Sequence, residues 1–218
     1  MAERVDGNAI RTQRTRARVL AESLRLFNEL GEARVTTGMI AESLGMSPGN
    51  LYYHFRNKDQ IVGELFARFE ERIDIAPPLA AGGPEAIEDL WLYLHLMLEA
   101  IWDFRFFYRN LHGVARRDRR LAQRFNRIAG RKLASIEGLC NGLAAQGALR
   151  ANGEEIHALA RNVLLVATYW LDFQALRRGR DEAAGPGRGA YQVMMLIAPY
   201  LAGEARRHVQ RLGRAYVE

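Results

Sequence analysis

Between Thr36 and Val62 the chain reads TTGMIAESLGMSPGNLYYHFRNKDQIV, and this stretch narrows the possible folds more than any other. Thr36 or Thr37 is placed to cap a short helix that runs through Leu44, and Gly45 ends it. Ser47 is placed to cap a second short helix, with Pro48 at the first helical position, where a missing N–H costs nothing. Asn57 caps a third element that continues KDQIVGELFARFEERI. Two short helices joined by a tight glycine turn make a helix-turn-helix, whose second helix is shaped to enter a DNA major groove.

The residue types on that second helix fit the role. Ser47 and the open N–H groups at the helix start suit a phosphate. Pro48, Gly49 and Asn50 lie at the end that approaches base edges, where asparagine pairs bidentately with adenine and glycine lets backbone come close. Leu51 and Phe55 are four apart and face a core. Tyr52 offers an aromatic edge to bases or thymine methyls, while Tyr53, His54 and Lys58 carry donors for backbone phosphates.

The rest of the chain is read as helical, punctuated by Pro and Gly, for about nine helices in an all-α fold. The first runs from about Arg11 to Leu30 with an apolar stripe of Val19, Leu20, Leu24, Phe27 and Leu30, and Gly31 stops it. APPLAAGGP, residues 76–84, marks a joint between domains. Beyond it, DLWLYLHLMLEAIWDF is apolar on nearly every side and is expected to be a fully buried helix. Further helices are expected over about Phe104 to Val114, Asp118 to Gln146, Glu154 to about Leu176 after an Asn152-Gly153 turn, and Gly189 to about Tyr216. The last two, the eighth and ninth, are apolar on more faces than one core needs. Their surplus suggests a homodimer built as a four-helix bundle from two copies.

Charge and composition exclude several classes. With 218 residues and 49% apolar content the chain has enough material for a core, and one cysteine, Cys140, allows no internal disulfide. No apolar run reaches the ~18 residues of a membrane span, and the N-terminus lacks a signal-peptide core, so a cytoplasmic protein without a membrane partner is expected. The net charge of +6 does not by itself locate a nucleic-acid site. Residues 1–75 balance eleven basic against eleven acidic side chains, whereas 105–132 hold ten basic residues and only Asp118. RRDRR, Arg116 to Arg120, reads as a solvated helix end or as an anion funnel. No HExxH, GxSxG, Walker or CxxC pattern occurs, so neither catalysis nor a cofactor is expected, and the histidines have no metal-ligand spacing. GPGRG, residues 185–189, reads as a loop between helices, and Cys140 as a buried small hydrophobe.

Taken with VLAESLRLFNELG before it, the Thr36–Val62 stretch resembles the DNA-binding signature of the tetracycline-repressor (TetR) family of bacterial regulators, over roughly residues 11–73. The resemblance implies a three-helix DNA-binding domain over 1–56, a linking helix over 57–75, and a helical effector-binding and dimerisation domain over 76–218. It implies that Thr36, Thr37, Ser47, Tyr53, His54 and Lys58 hold phosphates of a double-stranded operator, and that Pro48, Gly49, Asn50 and Tyr52 lie against its bases. Pro199 should kink the ninth helix, and Arg11, Arg14, Arg16 and Arg18 near the N-terminus are expected to add phosphate contacts.

The expected effector is a hydrophobic or amphipathic small molecule. Its expected contacts are Trp91, His95, Trp102, Phe107, Arg109, His112, Tyr169, Trp170 and Phe173, with Arg109 or His112 at a carboxylate or other polar tip. The function implied is a ligand-responsive transcriptional repressor that binds a pseudo-palindromic operator as a homodimer. The rival readings are an architectural DNA-binding protein without an effector and an all-helical small-molecule binding protein.

Overall fold

The computed structural model describes residues 2–75, 85–176 and 185–214; the expected joint over 76–84 lies outside them. The chain is all-α. Among the described residues there is no strand, only an isolated antiparallel bridge between Leu149 and Leu201. It forms two compact units, Met1–Glu70 and Glu71–Glu218.

The first unit holds α1 (Ala2–Leu30), α2 (Thr37–Ser43), α3 (Pro48–His54) and most of α4 (Lys58–Ile73). α1 begins well before the expected Arg11. Its buried face is Val19, Leu20, Ser23, Leu26 and Phe27, whereas Leu30 is exposed, so the stripe is rotated slightly from the one expected. Chain reversal at Gly31, with φ of 85°, leads into a short 3-10 turn, Glu32–Arg34, that has no simple sequence signal. The core of the unit is Phe27, Ile40, Leu51, Phe55, Ile61, Leu65, Phe66 and Phe69, all fully buried. Arg16, on α1, stacks 4.2 Å over the Phe55 ring and bonds both the His54 carbonyl and the Glu64 carboxylate. It therefore fastens α1 to the end of α3 and to α4, a structural duty in place of the phosphate contact expected of it. Arg11, Arg14 and Arg18 are exposed.

The second unit contains α5 (Glu85–Asp103), α6 (Arg105–Tyr108), α7 (Leu111–Arg117), α8 (Arg119–Ala145), α9 (Gly153–Leu176), α10 (Pro186–Ile197) and α11 (Gly203–Arg214). α5 packs on α8, α10 and α11, but Leu92 is exposed, so this helix is not buried on every side as expected. The single helix expected over Phe104–Val114 is broken into α6 and α7 around Arg109 and Asn110. Asp118 caps α8, its Oδ1 accepting from the N–H groups of Arg120 at 2.8 Å and Leu121 at 3.2 Å. Asn152 and Glu155 cap α9 reciprocally: Asn152 Oδ1 accepts from Glu155 N at 3.0 Å, and Glu155 Oε2 accepts from Asn152 N at 2.7 Å. Pro186–Arg188 form the first turn of α10 where a loop was expected, with proline again at a position that needs no N–H.

The expected ninth helix is two. α10 stops at Ile197, a 3-10 turn holds Pro199, and the chain then extends through Leu201 before α11. In that extended segment Tyr200 O accepts from Arg150 N at 2.7 Å and Ala202 N donates to Ala148 O at 2.9 Å. Pro199, which has no N–H for the helix, thus stands at a full break, and the backbone groups beyond it, Tyr200 O and Ala202 N, are satisfied by the segment after α8.

Candidate functional site

The helix-turn-helix is built by its caps. Thr36 Oγ1 accepts from Met39 N at 3.2 Å to start α2, and Ser47 Oγ accepts from Asn50 N at 3.2 Å to start α3. Between them Gly45 takes φ of 62°, a conformation that strains any residue with a Cβ, and turns the chain sharply. α2 is tied to α1 by Ser43 Oγ donating to Glu22, whose carboxyl is held below the usual range by Arg25 and then by Ser43.

With Leu51 and Phe55 anchored in the core, the other side of α3 is turned outward. Ser47, Pro48, Gly49 and Asn50 are exposed, as are Tyr52 (52%) and Tyr53 (75%). Thr36 is exposed and Thr37 half-buried at the start of α2. These eight residues present a short polar and aromatic ridge with the N–H groups at the start of α3 among them.

Two of the expected phosphate ligands are placed differently. His54 is buried, edge-on to the Tyr53 ring at 5.1 Å. Burial, and secondarily the charge of Arg16, lower its pKa, so the ring is neutral near pH 7. Lys58 Nζ donates to the carbonyls of Glu32 at 2.9 Å and Val35 at 3.2 Å and pairs with Glu32 Oε1 at 2.9 Å. An ammonium has three N–H groups, and here three acceptors take them. Lys58 therefore holds the 3-10 turn after α1 to the start of α4. Sequence pattern gave no sign of this pairing, because the acidic partner sits 26 residues away in an irregular turn.

In the second unit the nine expected effector contacts do not share one site, although Trp102 and Trp170 line a common small pocket and the His112 and Tyr169 rings lie 6.5 Å apart. Tyr169, Trp170 and Phe173 line an open apolar groove of about 290 Å³ between α9 and α10, together with Leu165, Val166 and Leu196. Trp91 stacks on His95 at 5.2 Å, and His95 reaches Glu99 at 3.2 Å. Trp102 lies under the Arg105 guanidinium at 4.9 Å. Phe107 is fully buried against Phe106 and Phe125. Arg109 and His112 are exposed, and both act electrostatically on Asp172, whose pKa is raised by burial against their opposing pull.

A separate, partly open cavity of about 100 Å³ is bounded by Ile73, by Met97 and Ile101 of α5, by Tyr108 and Leu111, by Phe125, the exposed Asn126, Ile128, Ala129 and Lys132 of α8, and by Leu164 and Thr168 of α9. None of the nine expected residues is among its walls. The signal that could have found it is helical phase: Ile128, Lys132 and Ile136 are four apart on the buried face of α8, so Lys132 occupies a core position. Cys140, on the same helix, is buried and its thiol pushed up to about 11, mainly by desolvation, which keeps it inert near neutral pH. Among the described residues no group of three or more His, Cys, Asp or Glu side chains is placed to hold a metal ion, and no helix is long and apolar enough to cross a membrane.

Comparison with known proteins agrees with this division. Residues 19–65 match the model for bacterial regulatory proteins of the tetR family, and residues 68–209 match the TetR model described as bacterial transcriptional repressor. The HTH-type transcriptional regulator TtgR of Pseudomonas putida is 39% identical over 62 residues, which are 28% of this chain and 30% of TtgR. The match thus spans under a third of that relative's length. A TetR-family transcriptional regulator from Marinobacter aquaeolei VT8, solved as a crystal structure, is 37% identical with a TM-score of 0.79, covering 93% of this chain and 98% of that one. A regulator from Saccharomonospora viridis, solved in complex with choline, is 20% identical and shares the fold, with a TM-score of 0.63 over 88% of this chain and 100% of that one. With a family model covering most of the chain and a near full-length relative at this identity, the chain belongs to the TetR family of bacterial transcriptional regulators.

Proposed function

We propose that the chain is a ligand-responsive repressor that binds a pseudo-palindromic DNA operator as a homodimer, with one α3 in the major groove of each half-site. The observation that carries this reading is the exposed ridge of α3: Leu51 and Phe55 are buried while Ser47–Asn50, Tyr52 and Tyr53 face outward. A helix with only a structural role has no need to present an open N-terminus, an asparagine and two tyrosines together. Pro48, Gly49, Asn50 and Tyr52 then meet bases, and Thr36, Thr37, Ser47 and Tyr53 meet phosphates. Lys58 joins them only by exchanging one of its present acceptors for a phosphate, and His54 supports the helix from within. In this reading residues 1–56 form the DNA-binding domain, 57–75 the link and 76–218 the effector and dimerisation domain.

Dimerisation is assigned to α9 and α10. Leu165, Tyr169 and Phe173 are spaced four apart on α9, all exposed and apolar, a stripe that a second copy would cover. Binding, not catalysis, is the activity, and the site of action is the cytoplasm, where operator DNA is found. The effector acts by favouring one setting of the two DNA-binding domains, so effector and operator oppose each other reciprocally.

Selection from a pool of random duplexes tests the reading. The expected product is a two-fold-related pair of half-sites about one or two helical turns apart, each turn being ~10 base pairs. Enrichment of no sequence, with binding that falls steeply with salt, would instead fit an architectural protein.

A further inference from the structure

Lys132 is a cation in an apolar place. Its residue is only 4% exposed, yet it lines the 100 Å³ cavity beside Ile73, Met97, Tyr108 and Phe125. Among the described residues its polar contacts are sparse: Nζ donates to the Ile75 carbonyl at 3.4 Å and sits 5.2 Å from the Tyr93 ring centroid. The nearby carboxylate, Asp74, is bound by Arg131 Nε at 3.2 Å and is more than half exposed, so it is shared with a second cation. Among the described residues the charges at this end of the cavity are thus Lys132, Arg131 and Asp74, with a net excess of one positive. An ammonium with three donors and one long hydrogen bond has strong capacity left for an anionic acceptor.

We infer that this cavity is a binding site for a short-chain carboxylate, with Lys132 Nζ holding the carboxylate and Ile73, Met97, Tyr108 and Phe125 packing on the hydrocarbon. Size follows from volume. A cavity of roughly 150 Å³ holds the six carbons of benzene, so about 100 Å³ takes about four non-hydrogen atoms, and the open mouth leaves room for about two more. An alcohol or amide of that size would leave the buried charge uncompensated, and an alkylammonium would add to it.

The position has a consequence for regulation, and in this it rests on the repressor reading. Lys132 bonds the carbonyl of Ile75, two residues after α4 ends, while Ile73, the last residue of α4, is itself a wall of the cavity. A carboxylate that captures Nζ competes with that carbonyl and so loosens the tie between α8 and the end of α4. The effector would thereby act on the helix that begins in the DNA-binding unit.

The test is calorimetric titration of the full chain with butyrate, butyramide and butylammonium, three ligands of matched size. Butyrate is expected to bind about tenfold or more tighter than butyramide, with no measurable heat from butylammonium. In Lys132→Met, acid and amide should come within about twofold of each other. The wild-type ranking needs no variant and decides the matter even if Lys132→Met fails to fold. Equal or better binding of the amide, retention of the acid preference in Lys132→Met, or no binding of butyrate would each overturn the site. Operator binding by the ligand-free chain is scored separately: its presence without an acid preference removes this site alone, and an acid preference without operator binding removes the repressor reading alone.

Discussion

Lys58→Met is expected to destabilise the chain by about 2–4 kcal/mol, slightly below the range for breaking a buried ion pair because the lysine is partly exposed. The Glu32 side chain is 2% exposed, and Lys58 supplies it with a charge at 2.9 Å while also holding the Glu32 and Val35 carbonyls. Methionine keeps the volume and removes the ammonium, so the buried carboxylate loses the lysine charge and two carbonyls lose a donor. For a unit of this size such a loss lowers Tm by about 10 °C or more. Adding Glu32→Gln should restore part of the stability, since it removes the buried charge that the lysine had paired. Thermal melts of the wild type, the single variant and the double variant measure it. A melt unchanged in Lys58→Met would mean that the pair contributes nothing. Operator titrations on the double variant, well below its melting range, then separate the two roles of Lys58. If it also meets a phosphate when DNA is bound, the salt slope falls by about one.

Charges placed on the outer stripe of α9 should abolish the dimer. Leu165 and Phe173 are 56% and 51% exposed in the protomer, so Leu165→Glu with Phe173→Glu costs little in its folding. In a two-fold interface each substitution appears twice, and four carboxylates would be buried in one apolar patch. Several kcal/mol are lost, enough to weaken dimerisation by about 10³-fold or more. Sedimentation velocity at micromolar protein should show a monomer, and operator affinity should fall with it because each monomer engages only one half-site. A dimer that survives both substitutions would place the interface on another face.

What the sequence made legible was whatever is decided locally. Thr36, Gly45, Ser47 and Pro48 act through their own backbone or that of neighbours within three residues, and the structure uses each where the pattern put it. Asp118 and the Asn152–Glu155 pair belong to the same kind. The direction of a polar side chain depends instead on distant partners. Lys58 finds Glu32, and Arg16 finds Glu64 and the His54 carbonyl, across spacings for which no periodic signal exists. Pro199 was visible as a defect, but whether it kinks or breaks a helix depends on whether other backbone can take the freed groups, and the segment after α8 does. Lys132 is hidden in a stretch with ten basic residues, because a charge count carries no helical phase.

The central claim is that the outward side of α3 reads DNA. The direct measurement is fluorescence anisotropy on duplex DNA from upstream of the chain's own gene and on a scrambled control, across a salt series, with Asn50→Ala and Tyr53→Phe beside the wild type. Both side chains are exposed, and the Ser47 cap bonds the Asn50 backbone N–H, so neither substitution should disturb the fold. Tight binding to the upstream duplex alone is expected. Asn50→Ala should weaken it by about 1–3 kcal/mol and relax preference at one base pair per half-site. Tyr53→Phe should weaken binding similarly to every sequence. Operator affinity left unchanged by both substitutions, with the fold intact, would contradict it.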